Sequence, residues 1–248
     1  MIGSIGEEFR QRYVGSRLGI LWSVLYPVGL MSIYAMLYVF IFRVRPSNLD
    51  ETGYTLLVIG GLLPLLTYAE TISLSAFSMI SNKALLLNTV FPAELMPVRS
   101  VLAGQLPMLM AIIIITLIST ALGYAQFWAV AAVLVMWVVL LMFIVGLAWY
   151  ISLLTLAYRD ISHGLGLFNM LIVLLSPAAY TADMVPERMK LILYVNPFSY
   201  FVRSFQSVIC FGELPTLLDA GVSLFLAVFV FYTGFRFFKR AKHVFVEF

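Results

Sequence analysis

The sequence predicts an all-α integral membrane protein with six transmembrane helices. Of its 248 residues, 62% are hydrophobic and only 11% are charged, and the mean hydropathy is +1.02. An average soluble domain has about 25% charged residues. A water-soluble fold and a disordered chain are both excluded, because the first needs a polar surface and the second low hydrophobicity. The single cysteine, Cys210, excludes an internal disulfide framework.

Long stretches without Asp, Glu, Lys or Arg define the spans. Residues 100–158 contain none, which is enough for two helices of about 20 residues joined by a turn at Gly123–Gln126. The apolar runs are continuous rather than alternating, which favours helices over a β-barrel. We expect six spans, at residues 20–42, 54–80, 100–123, 128–157, 162–181 and 217–237.

The stretch 186–212 does not fit a simple span, because Asn196-Pro197 breaks it and Arg203 lies inside it. We therefore expect a re-entrant segment of two half-helices that enters the membrane from outside. The alternative is an external loop that lies flat on the membrane. Irregular backbone at membrane depth is tolerated where it is buried in protein or lines a cavity, so this segment is a functional candidate.

The distribution of positive charge supports six spans and two cytoplasmic termini. The cytoplasmic side then has ten of the 15 lysine and arginine residues: Arg10, Arg12, Arg17, Lys83, Arg99, Arg159, Arg236, Lys239, Arg240 and Lys242. The outer side has Arg43, Arg45, Arg188, Lys190 and Arg203. This imbalance obeys the positive-inside rule, whereas a seventh span would export the basic cluster 236–242.

Two cytoplasmic stretches are predicted to be helical but are too short to span. Residues 5–17 place Ile5, Phe9 and Tyr13 on one face, as in an interfacial amphipathic helix. Residues 82–98 suggest two short helices, of which the second is Pro92 to Pro97. With the tail 238–248, the chain 1–248 forms one transmembrane domain. No removable signal peptide is evident at its start.

Catalytic chemistry is missing from the sequence. No lysine follows a glycine, so a P-loop for ATP cannot exist here. The two histidines, His163 and His243, are far apart, and no Cys/His cluster could bind zinc. We expect no catalytic residue, no metal site and no cofactor in this chain, which indicates a transport subunit rather than an enzyme.

Aromatic residues and one acid mark a candidate channel. Glu70 is the only carboxylate well inside a predicted span, and intramembrane acids are functional candidates by default. Aromatic rings stack on sugar faces, and phenol hydroxyls bind sugar hydroxyls. The alternatives are a membrane-interface belt for the aromatic residues and a hydrogen bond inside the bundle for Glu70. The candidate channel residues are Tyr26, Tyr34, Tyr38, Tyr68, Glu70, Trp149 and Tyr150.

Four motifs in order resemble the permease subunits of bacterial ABC polysaccharide exporters, of the O-antigen and teichoic-acid type. They are Arg12-Tyr13-Val14-Gly15-Ser16-Arg17-Leu18-Gly19-Ile20-Leu21-Trp22 with Pro27; Phe91-Pro92; Tyr158-Arg159-Asp160-Ile161; and Ser176-Pro177-Ala178-Ala179-Tyr180 with Val185-Pro186 and Asn196-Pro197-Phe198. The resemblance covers nearly the whole chain.

The resemblance implies a homodimer in the bacterial inner membrane, bound to two cytoplasmic ATPase subunits that hold ATP and Mg²⁺. It implies a lipid-pyrophosphate-linked glycan as substrate and no nucleic acid. The implied ATPase contacts are Lys83, Leu86, Phe91, Pro92, Glu94, Arg159 and Asp160, and the implied exit gate is Pro186, Asn196, Pro197 and Arg203.

The arginines near the chain start, Arg10, Arg12 and Arg17, lie where inner-leaflet phosphates would be, and could hold the pyrophosphate headgroup. Simple membrane anchoring is the alternative. For the whole chain, the alternatives are an ABC exporter of capsule, drug or lipid and a stand-alone ion-coupled carrier.

Overall fold

A computed structural model describes residues 16–42, 46, 49–82, 92–181 and 184–246, in which every regular element is a helix. Nine α-helices are named in chain order: α1 Trp22–Met36, α2 Glu51–Ala76, α3 Ser78–Ser81, α4 Leu95–Ala121, α5 Trp128–Ala157, α6 Asp160–Leu175, α7 Lys190–Val195, α8 Pro197–Cys210 and α9 Leu217–Val246. A 3-10 turn, Gly19–Leu21, precedes α1, and a π-helical stretch, Leu37–Phe42, continues it; a second 3-10 turn, Glu187–Met189, precedes α7. The predicted helix 5–17 and most of the loop 82–98 lie outside the described residues.

Within the described residues, four helices are long and apolar enough to cross a membrane, namely α2, α4, α5 and α9. Two further predicted spans are shorter apolar helices, Leu25–Ile41 and Asp160–Leu175. The predicted span 162–181 is wrong at its far end, since α6 stops at Leu175. Pro177 follows directly after Ser176, and the residue before a proline is disfavoured in the α conformation.

The start of α4 also differs from the prediction. We expected a short helix from Pro92 to Pro97 and a separate span from residue 100, whereas α4 runs without interruption from Leu95 to Ala121. Pro97 lies in the first turn of this helix. A proline is tolerated there because the first backbone N–H groups of a helix have no intrahelical acceptor.

Helix α2 is the centre of the bundle. It packs against α1, α4, α5, α6 and α8, and most of its residues are buried. Its start is fixed by Asp50, whose carboxylate accepts a hydrogen bond from the Gly53 N–H at 3.0 Å. This is an ordinary N-cap, and it begins the helix three residues earlier than predicted.

The helices α5 and α9 form the most extensively packed pair. Gly146 makes this possible, because a Cβ atom there would lie 2.6 Å from backbone atoms of Val230 and Phe231. Small residues let transmembrane helices approach with their backbones nearly in contact.

The two ends of the bundle are named here by residues that lie at them. The Tyr124 end contains the predicted turn, Gly123–Gln126, where Gly123 has a φ of +85°, and the starts of α2, α5 and α9. The Tyr124 hydroxyl donates to the Asp50 carboxylate at 2.7 Å across this end. The Glu94 end contains the start of α4 and the last turns of α5.

The helix break predicted at Asn196-Pro197 is confirmed. Helix α7 ends at Val195 and α8 begins at Pro197, with Asn196 between them. Asn196 caps α8 by accepting a hydrogen bond from the Phe198 N–H at 3.0 Å. Helix α8 is largely buried and packs mainly against α2 and α9.

Candidate functional site

The predicted channel residues Tyr26, Tyr34 and Tyr38 lie on α1 and the π-helical stretch that continues it, and Trp22 lies one turn before Tyr26. Trp22 and Tyr26 are 46% and 57% exposed. Tyr34 and Tyr38 are half-buried and pack against the core. The helix therefore presents a partly open aromatic face.

Tyr68 and Trp149 are not on that face. Tyr68 on α2 is 2% exposed, with its ring 4.4 Å from that of Phe198. Trp149 on α5 is 4% exposed and packs between two phenylalanines of α9. Both rings are therefore buried within the helix packing of a single chain.

Tyr150 and Glu70 are both partly exposed. Tyr150 is half-buried and stacks on Phe237 of α9 at 4.9 Å between ring centroids. Glu70 is half-buried on α2. In the same stretch of α2, Asn169 of α6 donates from its amide nitrogen to the Ala69 carbonyl and the Ser73 hydroxyl, each at 3.1 Å.

Helix α6 is attached to α2 along one narrow stripe. Its buried residues are Leu165, Asn169 and Ile172, which are spaced four and three residues apart and so share one face. The opposite side is apolar and open, with six large side chains between 45% and 71% exposed: Leu167, Phe168, Met170, Leu171, Leu174 and Leu175. We call these six residues the α6 open face.

An apolar groove of about 470 Å³ continues the α6 open face. It lies between α6 and the broken segment α7–α8. Its lining includes Leu171, Leu175, Leu191, Val195 and Pro197. The structure thus brings part of the predicted exit gate next to the open side of the bundle.

The exit-gate residues have distinct environments. Pro186 is exposed, and Pro197 occupies the first position of α8. The Asn196 amide nitrogen donates to the Ser176 hydroxyl at 2.8 Å, which ties the break to the residue that follows α6. Arg203 is held by Asp219 of α9, to which its Nε donates at 2.9 Å.

Asp219 was missed by the sequence reasoning. The Thr216 hydroxyl donates to the Asp219 carboxylate at 2.8 Å and accepts from the Asp219 backbone N–H at 3.1 Å, so Thr216 caps the start of α9. The spacing Thr-x-x-Asp before an apolar run was the signal that could have identified it.

The residues predicted to contact an ATPase are only partly described. Pro92, Arg159 and Asp160 are exposed at the Glu94 end, as a docking surface requires. Glu94 is half-buried, and its backbone carbonyl accepts a hydrogen bond from Trp149. Lys83, Leu86 and Phe91 lie outside the described residues.

Of the three arginines expected to hold a headgroup, the structure describes one. Arg17 is exposed just before the turn that begins α1. Arg10 and Arg12 fall outside the part of the chain that the structure describes.

Two buried glutamines were not singled out from the sequence. Gln206 of α8 donates to the carbonyls of Pro177 at 2.9 Å, Ala178 at 3.1 Å and Leu57 at 3.2 Å. Gln105 of α4 donates to Thr71 and accepts from Trp137, each at 2.9 Å. Glutamines within apolar runs indicate such interhelical hydrogen bonds in membranes.

Comparison with known proteins agrees with this architecture. The family model of the ABC-2 type transporters matches residues 4–210. Two O-antigen export system permease proteins RfbA of Klebsiella pneumoniae are each 28% identical, over 97% of this chain and 91% of their own length. A protein of the same name from Myxococcus xanthus is 22% identical, over 100% of this chain and 94% of its own length. The chain belongs to the ABC-2 type transporter family, as a membrane-embedded transport subunit rather than an enzyme.

Proposed function

We propose that this chain is the membrane subunit of an ATP-driven exporter that moves a lipid-linked polysaccharide of the O-antigen kind out of the cytoplasm. Membership of the ABC-2 family implies an ATPase partner. The relatives are named as O-antigen export permeases, which supports the substrate class. In this proposal two copies of the chain work with two ATPase subunits.

The open side of the bundle is the observation that carries this proposal. Helices α1 and α6 both pack against the largely buried α2, and each leaves an apolar side of its own open. A long polar chain cannot pass through so closely packed an interior. A second copy facing the same side would enclose a path between the two chains, and Tyr26 and Tyr34 would then lie along it.

Orientation in the bacterial inner membrane follows from charge. The Glu94 end has the described basic residues Arg17, Arg99, Arg159, Arg236, Lys239 and Arg240. We place this end in the cytoplasm, in line with the positive-inside rule. Both termini are then cytoplasmic, the helical stretch 19–42 and α6 complete six spans, and α7–α8 forms a re-entrant segment from the outer side.

The remaining residues take roles that match this orientation. Arg17, with Arg10 and Arg12, would meet the pyrophosphate headgroup at the inner leaflet. Pro92, Glu94, Arg159 and Asp160, with Lys83, Leu86 and Phe91, would lie against the ATPase. Asn196, Pro197, Arg203 and Pro186 would form the exit at the Tyr124 end.

Loss of the chain tests the substrate class. A deletion strain should accumulate lipid-linked glycan in the cytoplasm and lose surface glycan, both of which return when the intact chain is supplied. Normal surface glycan in the deletion strain would show that the substrate is something else.

A paired substitution tests the path itself. Tyr26→Ala combined with Tyr34→Ala should reduce surface glycan while the chain still inserts and binds its ATPase. The matched control is Tyr232→Ala, which removes a tyrosine that is 52% exposed on α9, away from the α1 face. An equal effect of the control would remove the two α1 tyrosines from the mechanism.

A further inference from the structure

Trp149 joins three elements at the Glu94 end. Its indole Nε1–H donates to the backbone carbonyl of Glu94 at 2.9 Å. Its ring lies 5.0 Å from the ring of Phe231 and 5.2 Å from that of Phe235, both on α9. One buried side chain of α5 therefore contacts the start of α4 and the second half of α9 at the same time.

The contact with α9 is rigid. One turn before Trp149, Gly146 lies directly on the backbone of α9, where a Cβ atom would approach Val230 O to 2.6 Å. Gly234 lies equally close to the Gly146 carbonyl from the other side. Helices packed backbone to backbone have little room to slide, so α5 and α9 move together.

The contact with Glu94 differs in kind, because it is a single directional bond. Glu94 immediately precedes α4 and follows the exposed Pro92. The side chain of Trp149 thus links the α5–α9 pair to a backbone atom of the 92–98 segment just before α4 begins.

A second indole of α5 provides a comparison. Trp137 Nε1 donates to Gln105 Oε1, also at 2.9 Å and also on α4. Trp137 is three turns closer to the Tyr124 end, and its partner belongs to the middle of α4, away from the 92–98 segment. The same chemistry therefore occurs twice on α5, once at the proposed ATPase side and once in the interior.

We propose that Trp149 is a positioning residue that transmits displacement of the 92–98 segment to α5 and α9 as one body. The inference rests on the proposed function in one respect, namely that the 92–98 segment lies against the ATPase. A push on this segment would reach α9 through the Glu94–Trp149 bond and the Phe231 and Phe235 rings. The Lys239 ammonium, 4.7 Å above the Phe235 ring, lies at the far end of this chain of contacts.

The test compares two matched substitutions in the full chain, co-produced with its ATPase and placed in membrane vesicles. Trp149→Phe keeps an aromatic ring between Phe231 and Phe235 but removes the N–H donor. Trp137→Phe makes the same change at the interior bond. Three quantities are measured: the rate of ATP hydrolysis, the glycan exported per ATP, and deuterium exchange of residues 231–241 with and without ATP.

Trp149→Phe should leave ATP hydrolysis within about twofold of wild type and lower glycan exported per ATP by about fivefold, the factor that one hydrogen bond of typical net strength supplies. In Trp149→Phe, the ATP-dependent change in deuterium exchange at residues 231–241 should also disappear. Trp137→Phe should retain both the export ratio and the exchange response.

Equal effects of the two substitutions, or a wild-type ratio and exchange response in Trp149→Phe, would overturn the inference. If Trp149→Phe does not accumulate, it is replaced by Trp149→3-benzothienylalanine, which keeps the shape of the indole and removes only the N–H donor. The results expected of Trp149→Phe then apply to this variant. If the wild-type complex exports no glycan but shows the ATP-dependent exchange change, the proposed substrate is wrong, and the exchange data alone judge Trp149. If the wild-type complex shows no exchange change with ATP, the inference is wrong.

Discussion

Arg203 of α8 and Asp219 of α9 form an ion pair in which Nε and Nη2 of the guanidinium both donate to one carboxylate oxygen, Asp219 Oδ1. The two side chains are 21% and 7% exposed, and the guanidinium also lies 4.8 Å above the Tyr200 ring. The other carboxylate oxygen accepts from Thr216. This pair fastens the broken segment to the last helix at the Tyr124 end.

Breaking this ion pair should destabilise the protein more than breaking an exposed one. We expect a double-mutant cycle with Arg203→Gln and Asp219→Asn to give a coupling energy of about 2 kcal/mol, between the values for exposed and fully buried pairs. The free energy of unfolding is measured by SDS titration in mixed micelles. The matched cycle at Glu187 and Lys190, where the glutamate is 84% exposed, should give less than about 0.5 kcal/mol. Equal couplings would contradict the importance of burial here.

Gly61 should not tolerate a methyl group. A Cβ atom there would lie 2.6 Å from both the Ala178 carbonyl oxygen and Gln206 Nε2. Gly61→Ala must therefore move α2 away from backbone it contacts, at a cost of about 1–3 kcal/mol. We expect a lower melting temperature and less chain in the membrane.

Gly29→Ala is the control for this prediction, because no atom of the described residues lies within 4 Å of its Cβ position on α1. Alanine has the higher helix propensity, so this variant should match or exceed wild-type stability. A Gly61→Ala protein as stable as Gly29→Ala would show that the close approach of α2 and Ala178 is not needed.

Asn196 should matter for two separate hydrogen bonds. Asn196→Ala removes the cap of α8 and the bond to Ser176, for a combined cost of about 2 kcal/mol. Ser176→Ala removes only the bond between Asn196 and Ser176, so it should lower the melting temperature about half as much as Asn196→Ala does. Asn196→Asp keeps an acceptor for both the Phe198 N–H and the Ser176 hydroxyl and should recover most of the stability. No recovery in Asn196→Asp would argue against the cap.

The Asp50–Tyr124 bond should make stability depend on pH. The Tyr124 hydroxyl and the Gly53 N–H lower the pKa of Asp50, because both donate to its charged carboxylate. Such a group stabilises the fold above its unfolded pKa of about 3.9, and the contribution is lost as the pH falls through the folded pKa. Tyr124→Phe should therefore have a lower melting temperature than wild type at pH 7, and the difference should shrink below about pH 4.

Two further measurements constrain this prediction. Asp50→Asn should show the reduced melting temperature at pH 7 with little change on acidification. The carboxylate of Asp50 raises the pKa of Tyr124, so the phenol stays neutral at pH 7. A Tyr124→Phe deficit of the same size at pH 7 and pH 3 would exclude this linkage.

Much of the helix layout was predictable, because charged residues cannot remain in the hydrocarbon core and their positions therefore mark the helix ends. The span 128–157 matches α5 at both ends, and the turn at Gly123 and the break at Asn196 were both found. The errors occurred where a proline or a cap decides the boundary. Ser176-Pro177 ended α6 early, and Asp50 began α2 early.

The candidate site was less predictable, because helical spacing shows which residues share a face but not what covers that face. Tyr26 and Tyr68 are equally plausible channel residues in the sequence, yet one is 57% and the other 2% exposed. The difference comes from α8, which folds back so that Phe198 covers Tyr68. A long-range contact of this kind leaves no periodic signal.

By itself the sequence determined that this is a helical membrane protein with no ATPase machinery of its own, since the shortage of charge and the missing P-loop lysine are properties of composition and order. Only the tertiary structure decided that the Trp149 ring is buried against α9 with its N–H on the Glu94 carbonyl, and that Arg203 pairs with Asp219. The physical reason is that hydrogen bonds and ring contacts depend on which helices pack together. Helix packing in membranes is set by small residues and interhelical bonds distributed over the whole chain, not by the local hydrophobic pattern.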